Sequence, residues 1–305
     1  MYRRSFIKTL VGGAALLGLG QALGRGPGLT AALAQDYPDL VAIKGADITV
    51  MFDQALTALG GLGRFVTKGQ KVLIKPNMGW AVEPRRAANT SPELLAHLVK
   101  RVKELGASKI SVFDNTCDNW KSAYSTSGLE EAASKAGALV APANSEKYFQ
   151  KITIPGQSKL GQTAYHELYL EADVIINLPV LKHHGGAKMT AALKNLMGAI
   201  WDRSDLHWGG LDQCIPELML YKKPNLNIVE AQRVMLNGGP RGYGDSQYLA
   251  ANMLLASADP VAVDAASYRL LAESGIREPG YIAQAASLGL GQSDLSLIKV
   301  QRLTV

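Results

Sequence analysis

The residues with the richest chemistry lie in one stretch, positions 177–200, which reads NLPVLKHHGGAKMTAALKNLMGAI. Within it Lys182, His183 and His184 stand directly before two consecutive glycines. Glycine lets a backbone bend freely, and loops carry much of the binding and catalytic chemistry of proteins. We therefore predict a functional loop here, between a buried strand that ends at Asn177 and a helix that follows the glycine pair.

Histidine is the usual proton carrier near neutral pH and a common metal ligand. Adjacent residues of an extended chain point in opposite directions, so we expect one histidine of the pair to face the site. We predict catalytic roles for His183, His184 and Lys182, and both histidines are candidate metal ligands. A complete metal site would also need His207 and a neighbouring aspartate, since the chain has no HxxxH or HxH spacing. The alternative is that both histidines are structural or simply exposed.

Polar residues also follow three apolar runs. Residues 72–74 precede Lys75 and Asn77, residues 110–113 precede Asp114, and residues 174–176 precede Asn177. Ligands of open α/β sheets bind at the carboxyl ends of the strands, so we expect these four side chains to converge. The alternative is that strand ends are polar only because loops are polar.

Cationic side chains indicate the kind of ligand. Lys75, Lys182 and Lys194 together predict an anionic ligand, a phosphate or a carboxylate, and Asn195 lies beside the last of them. The amides of the glycine pair would add an anion site at the start of the predicted helix. An ordinary solvated helix face is the alternative for this polar side. Arg241 lies in a glycine-rich loop at 237–244, which is either a lid that adds one guanidinium or a plain surface loop.

The run Asp-Pro-Val-Ala-Val-Asp at 259–264 begins a helix. Asp259 is a good N-cap, because its carboxylate can accept backbone N–H groups of the first turn. Asp264 then falls inside an apolar helix, where a carboxylate needs a partner. We expect Asp264 to orient a lysine of the site, or to belong to a structural pair.

These residues must be held by alternating strands and helices. The apolar runs named above alternate with helical patterns at 53–62, 91–105, 128–135, 213–221, 259–271 and 281–288. This alternation predicts an α/β fold with a mostly parallel sheet and helices on both faces. The region 144–170 is less regular and could form an edge pair from residues 152–154 and 167–169, as part of a smaller lobe.

The N-terminal residues predict export. Tyr-Arg-Arg-Ser-Phe-Ile-Lys at 2–8 resembles a twin-arginine signal, an apolar run follows at 10–23, and Ala-Leu-Ala at 32–34 suits a signal peptidase. We predict a signal peptide at 1–34, an α/β domain at 35–305, passage through the twin-arginine machinery and a periplasmic or exported location. An uncleaved signal would be the sole means of membrane attachment.

Charge and cysteine content narrow the function classes. The whole chain has 32 basic and 26 acidic residues, whereas residues 1–34 contain four basic residues and no acid, which leaves a net charge of +2 for the rest. No basic stripe remains to bind nucleic acid. Cys117 and Cys214 do not supply the four ligands of an iron–sulfur cluster. They could form one disulfide or remain two free thiols.

Five motifs together resemble the DUF362 family: Lys-Pro-Asn at 75–77, Asn-Leu-Pro-Val-Leu-Lys-x-His at 177–184, Leu-Lys-Asn-Leu-Met-Gly at 193–198, Asn-Gly-x-Pro-x-Gly at 237–242, and the run at 259–264. The resemblance covers most of the chain after residue 34 and implies no defined activity. Some members carry ferredoxin-like cysteine clusters, which this sequence lacks. The resemblance also implies a fold similar to the N-terminal part of nickel-pincer lactate racemases.

Two functions fit these observations. The first is an enzyme that acts on a small carboxylate or phosphate with a metal or bound cofactor, in which a histidine moves the proton, lysines hold the anion and Asp264 orients a lysine. The alternative is a non-catalytic periplasmic protein that binds a ligand or handles a metallocofactor.

Overall fold

Strands and helices alternate along the computed structural model, which describes residues 36–305. The signal peptide predicted at 1–34 lies outside the described residues. The strands are β1 (Leu40–Lys44), β2 (Lys71–Pro76), β3 (Lys109–Val112), β4 (Leu139–Val140), β5 (Phe149–Thr153), β6 (Gln162–His166), β7 (Val174–Leu178), β8 (Val180–His184), β9 (Lys188–Thr190), β10 (Leu226–Met235), β11 (Tyr248–Leu249), β12 (Met253–Ser257) and β13 (Val300–Thr304). The helices are α1 (Ile48–Ala58), α2 (Pro92–Glu104), α3 (Trp120–Thr126), α4 (Leu129–Ala136), α5 (Glu167–Glu171), α6 (Ala192–Asn195), α7 (Ser204–Gly209), α8 (Leu211–Tyr221), α9 (Pro260–Ala272) and α10 (Gly280–Ser287).

The main sheet has the strand order β13-β1-β12-β10-β7-β2-β3-β4. Neighbours in this order are parallel, except that β12 is antiparallel to both β1 and β10. The short strands β8, β9 and β11 extend the region around β10. Strands β5 and β6 form a separate antiparallel pair. The predicted α/β class with a mostly parallel sheet is therefore confirmed.

Alternate residues of the central strands feed two hydrophobic cores. Val72 and Ile74 of β2 pack with α1, α2 and α4. Leu73, which lies between them, belongs to the core that contains α8, α9 and α10. Since successive side chains of a strand point to opposite faces, these helices cover both faces of the sheet, as predicted. No helix within residues 36–305 is long and apolar enough to cross a membrane.

Two predicted helix starts are confirmed by their caps. Ser91 accepts the backbone N–H of Leu94 at 3.2 Å and precedes α2. Asp259 accepts the N–H groups of Val261 and Ala262 at 2.8 and 2.9 Å and precedes α9. Each cap satisfies backbone donors that a first helical turn leaves without partners, which fixes where the helix begins.

The stretch around the histidines differs from the prediction. Lys182 to His184 belong to β8, which pairs in parallel with β10 and antiparallel with β9, so the predicted loop is a hairpin. The helix begins at Ala192, after β9, instead of directly after the glycines. The glycine amides therefore do not form a helix N-terminus, and that part of the anion-site prediction is wrong.

A second difference concerns the less regular region. The strand that pairs with β5 is β6, whereas the residues predicted as its partner, 167–169, lie in α5. His166 ends β6, and its ring nitrogen Nδ1 accepts the N–H of Leu168 at 3.2 Å. This contact caps the short helix and ends the strand before the predicted pairing.

Candidate functional site

The carboxyl ends of several parallel strands surround one small cavity of about 60 Å³. Asn77 follows β2, Asp114 follows β3 and Lys182 lies on β8, while Lys194 of α6 and Arg203 come from the segment after the hairpin. This is the edge where an α/β sheet is expected to bind its ligand. Of the predicted site residues, the cavity is lined by Asn77, Asp114, Lys182, His184, Lys194 and Asn195.

A buried ion pair forms one wall of the cavity. Lys75 Nζ lies 2.8 Å from Asp114 Oδ1, and the two side chains are 0% and 4% exposed. The other carboxylate oxygen of Asp114 accepts the N–H of Met78 at 2.6 Å. Burial lowers the pKa of Lys75, and Asp114 opposes that change. A Cβ at Gly198 would collide with Asp114, which explains the glycine that ends the 193–198 motif.

Four asparagines form a hydrogen-bonded row behind the cavity. The Nδ2 group of Asn77 donates to Asn195 Oδ1 at 3.1 Å, and Asn195 donates to Asn177 at 2.8 Å. Asn177 in turn donates to Asn227 at 3.0 Å. All these amides point the same way, so the oxygen of Asn77 is left facing Lys182. Aligned hydrogen bonds of this kind strengthen one another and fix the orientation of each amide.

Lys182 lies on β8, next to Asn77 at the end of this row. Its Nζ donates to Asn77 Oδ1 at 3.2 Å and to the carbonyl oxygen of Ala88. The side chain is 1% exposed. Burial, and secondarily the charge of Lys194, lower the pKa of Lys182 to about 7. Within residues 36–305 no carboxylate forms a salt bridge with this amine.

Two further cations face the cavity. Lys194 is half-buried. Its side-chain amine makes no hydrogen bond within the part of the chain that the structure describes. Burial is the main cause that lowers its pKa to about 8. Arg203 donates to the carbonyl oxygens of Asn115 and Thr116 at 3.1 and 2.9 Å, which holds its guanidinium against the β3 end. Thr190 Oγ1 is buried in the lining and has no hydrogen-bond partner among the described residues. A ligand with oxygen acceptors would satisfy all three groups.

The two histidines separate as predicted, and the one that lines the cavity, His184, is not suited to proton transfer near neutral pH. His184 lines the cavity, and its Nδ1 accepts the N–H of Ala187 at 3.0 Å. Burial and the nearby Lys194 lower the pKa of His184 to about 2. His183 lies outside the lining, where its Nδ1 accepts the N–H of Gly239 at 3.2 Å, and burial lowers its pKa too. Among the described lining residues, Lys182 has a pKa of about 7 and Lys194 one of about 8.

Asp264 does not orient a lysine. Its two carboxylate oxygens accept the backbone N–H groups of Ala192 and Leu193 at 2.6 and 3.1 Å. It therefore fixes the start of α6, and with it the position of Lys194. Burial raises the pKa of Asp264 to about 7. The predicted catalytic role is thus replaced by a positioning role.

Arg241 also lies apart from the cavity lining. Its Nε is 3.2 Å from Asp118 Oδ2, and the same oxygen accepts the N–H of Ala81 at 2.9 Å. The neighbouring Pro240 does line the cavity. The loop at 237–244 therefore reaches the cavity rim through its proline, while its arginine anchors the loop to the segment after β3.

Arg203 and Cys117 also line the cavity, although the sequence did not predict it. Neither stands at a strand end or in a recognisable spacing, so no sequence signal marked them. Cys117 and Cys214 are not bonded to each other, and both are free thiols.

The predicted metal ligands do not form a metal site. Among residues 36–305, no group of three or more histidine, cysteine, aspartate or glutamate side chains could hold a metal ion. His183 and His184 use their Nδ1 atoms to accept different backbone N–H groups, as described above. A structural or catalytic metal usually needs at least three protein ligands.

Comparisons with known proteins agree with the motifs. The chain matches the DUF362 family, described as a domain of unknown function, over residues 72–269. It is 27% identical over 217 residues to a thylakoid-associated protein of Synechocystis sp., which corresponds to 68% of this chain and 65% of that protein.

Two solved structures are more distant. The apoprotein of lactate racemase from Thermoanaerobacterium thermosaccharolyticum is similar with a TM-score of 0.41 and 14% identity, over 64% of this chain and 50% of that one. A structural-genomics protein of Thermotoga maritima is similar with a TM-score of 0.48 and 10% identity, over 74% and 59%. The chain thus spans less than two thirds of the length of each of these relatives. Since the family match covers well over half of its residues, the chain belongs to the DUF362 family, whose activity is undefined.

Proposed function

We propose that this protein binds a small carboxylate or phosphate in the cavity at the carboxyl edge of the sheet. One observation carries the proposal. Lys194 and Arg203, joined by Lys182 when its amine is protonated, share a lining in which Asp114, the one carboxylate among the described lining residues, is already paired with Lys75. Like charges gathered in a confined space repel one another, and an oxyanion between them removes that cost.

The size of the cavity selects a small ligand. A buried water needs about 10–15 Å³, so a cavity of about 60 Å³ accommodates roughly four to six waters. A phosphate or a short carboxylic acid has a similar number of non-hydrogen atoms. The hydroxyl of Thr190, which has no hydrogen-bond partner in the described part of the chain, offers a donor to one of the anion's oxygens.

Lys182 favours an enzyme over a passive binding protein. An acid–base group works best when its pKa lies close to the working pH. Lys182 meets this condition at about 7, whereas His184 does not at about 2. We assign the proton-transfer role to the lysine in place of the predicted histidine. A non-catalytic binder would use the same cations but would not need an amine that titrates near neutrality.

We further propose that the protein is exported by the twin-arginine route. The support is the sequence at 2–8, with Arg3 and Arg4 followed by an apolar run. Replacement of both arginines by lysine should prevent the protein from reaching the exported fraction of its host. Unchanged export of the double variant would contradict this part of the proposal.

Calorimetric titration of the full chain tests anion binding. The probes are acetate and inorganic phosphate, added to the wild type and to Lys194→Gln. A charge-assisted hydrogen bond contributes about 1.5–3 kcal/mol, so the variant should bind at least about tenfold more weakly. The side-chain amine of Lys194 makes no hydrogen bond within the described residues, so Lys194→Gln should not disturb the fold.

Lys223→Gln is the matched control. It removes the same charge from an exposed position that is not in the cavity lining. The control should bind both anions like the wild type. Equal weakening in the two variants would show that only net charge matters, and an absence of binding to the wild type would refute the site.

A further inference from the structure

The hydrogen bonds of Lys182 suit a neutral amine. A neutral amine has two N–H groups and one lone pair, while an ammonium has three N–H groups. Two acceptors surround Nζ, namely Asn77 Oδ1 at 3.2 Å and the carbonyl oxygen of Ala88. Within the described part of the chain Nζ has no third acceptor. In the neutral form both protons meet these acceptors and the lone pair is left at the remaining position, whereas the ammonium form has a third N–H there.

A second cation stands near this amine. Lys194 lines the same cavity and, after burial, is the main cause of the lowered pKa of Lys182. Asp114 and Cys117 act in the opposite direction and only partly offset it. A desolvated lysine beside another cationic group is a recognised arrangement for amines that attack carbonyl carbons. The two lysines then have different roles, one as a nucleophile and the other as a charge.

We propose that the amine of Lys182 condenses with the carbonyl carbon of a small 2-oxo acid to form a Schiff base, while Lys194 and Arg203 hold the adjacent carboxylate. The inference rests on the proposed anion site and names the substrate class of that site. A 2-oxo acid places a carbonyl one bond away from a carboxylate, so one small cavity holds both groups. Pyruvate, with six non-hydrogen atoms, is about as large as the space of roughly four to six waters permits.

The condensation is balanced without an additional reagent. The lone pair of Lys182 Nζ forms a bond to the carbonyl carbon, and the π electrons of the C=O bond move to its oxygen. Two protons pass from the nitrogen to that oxygen, the C–O bond breaks, and water leaves as the C=N bond forms. Nothing is oxidised or reduced. Asn77 and Ala88 hold the amine in place during the attack.

Borohydride trapping tests the inference on the full chain. The wild type is incubated with pyruvate near neutral pH and then reduced with sodium borohydride, which adds hydride to the imine carbon. The intact mass should increase by the mass of pyruvic acid less one oxygen atom. Peptide mapping should place the adduct on Lys182, whereas the exposed Lys223 should remain unmodified. No adduct, or adducts spread equally over exposed lysines, would overturn the inference.

Two controls test separately the role of the Lys182 amine and that of the contacts to the carboxylate. Lys182→Arg keeps a long cationic side chain at this position but removes the nucleophilic amine, so it should give no adduct there. Acetone has the ketone without the carboxylate and should be trapped at least about tenfold less than pyruvate, since it lacks the charged contacts. Equal trapping of acetone would refute the roles of Lys194 and Arg203.

A parallel titration with acetate separates this inference from the proposed function. Acetate binding without any pyruvate adduct would refute the Schiff base and leave the anion site intact. Absence of both would refute the anion site as well.

Discussion

The stability of the folded protein should depend on pH through Lys182. Its pKa is about 7 in the folded state, against 10.5 for an unperturbed lysine. Between these values the unfolded chain holds a proton that the folded chain has released, so the free energy of unfolding rises with pH by about 1.4 kcal/mol per unit. From about pH 7 to about pH 9, Lys182 alone should therefore raise the free energy of unfolding by about 2–3 kcal/mol.

Urea unfolding of the wild type and of Lys182→Met at these two pH values measures the effect. Methionine keeps most of the apolar stem but cannot be protonated, and groups that titrate in both proteins cancel in the comparison. The free energy of unfolding of the wild type minus that of Lys182→Met should increase by about 2–3 kcal/mol between about pH 7 and about pH 9. Lys223→Met is the control, and its difference from the wild type should stay constant because an exposed amine keeps its water on folding. A change below about 0.5 kcal/mol for Lys182→Met would refute the reasoning, because it would mean that the buried amine stays protonated.

Three further predictions concern the groups around the cavity. Asp114→Asn should destabilise the fold by about 3–5 kcal/mol, since Lys75 would remain buried without its partner, and adding Lys75→Met should recover much of the loss in thermal unfolding. Thr190→Val should leave stability unchanged or slightly higher, because its hydroxyl has no hydrogen-bond partner within residues 36–305, but it should weaken phosphate binding in calorimetry; equal affinity would remove Thr190 from the site. Asp264 has a raised pKa of about 7, so its contribution to stability is present below about pH 4 and is lost as the pH rises through 7. Asp264→Asn should therefore flatten the decline of stability over that interval in urea titrations. An unchanged slope would contradict the assignment of this raised pKa to Asp264.

The sequence predicted most of the fold because its signals there are local. Residues 72–74 and 174–176 are continuous apolar runs, as expected of strands buried on both faces. Ser91 and Asp259 stand directly before helices that they cap. In each case the residues that decide the structure lie within a few positions of one another.

The hairpin at 180–190 was not predicted because long-range contacts decide it. Lys182 interrupts an apolar run, which argues against a buried strand, and the compensating acceptors Asn77 and Ala88 lie about a hundred positions earlier. The pattern of Met189 and Leu193 matches a helix equally well as a strand followed by a helix. Pairing with β10 favours the strand, and the sequence does not reveal that pairing.

Site residues that follow strands were predicted from the sequence, whereas Arg203 was not. Lys75, Asp114 and Asn77 follow the rule that strand ends converge in a parallel sheet. The position of Arg203 depends instead on two backbone carbonyls after β3, which no spacing indicates. The protonation behaviour of His184 and Lys182 was also beyond reach, because burial and neighbouring charges set it and both arise only on folding.

A crystal of the full chain soaked with inorganic phosphate would show whether the cavity binds an anion. We expect tetrahedral density in the cavity, with phosphate oxygens within hydrogen-bond distance of Lys194 Nζ, the guanidinium of Arg203 and Thr190 Oγ1. Density for phosphate only at other positions, with water alone between these three groups, would contradict it.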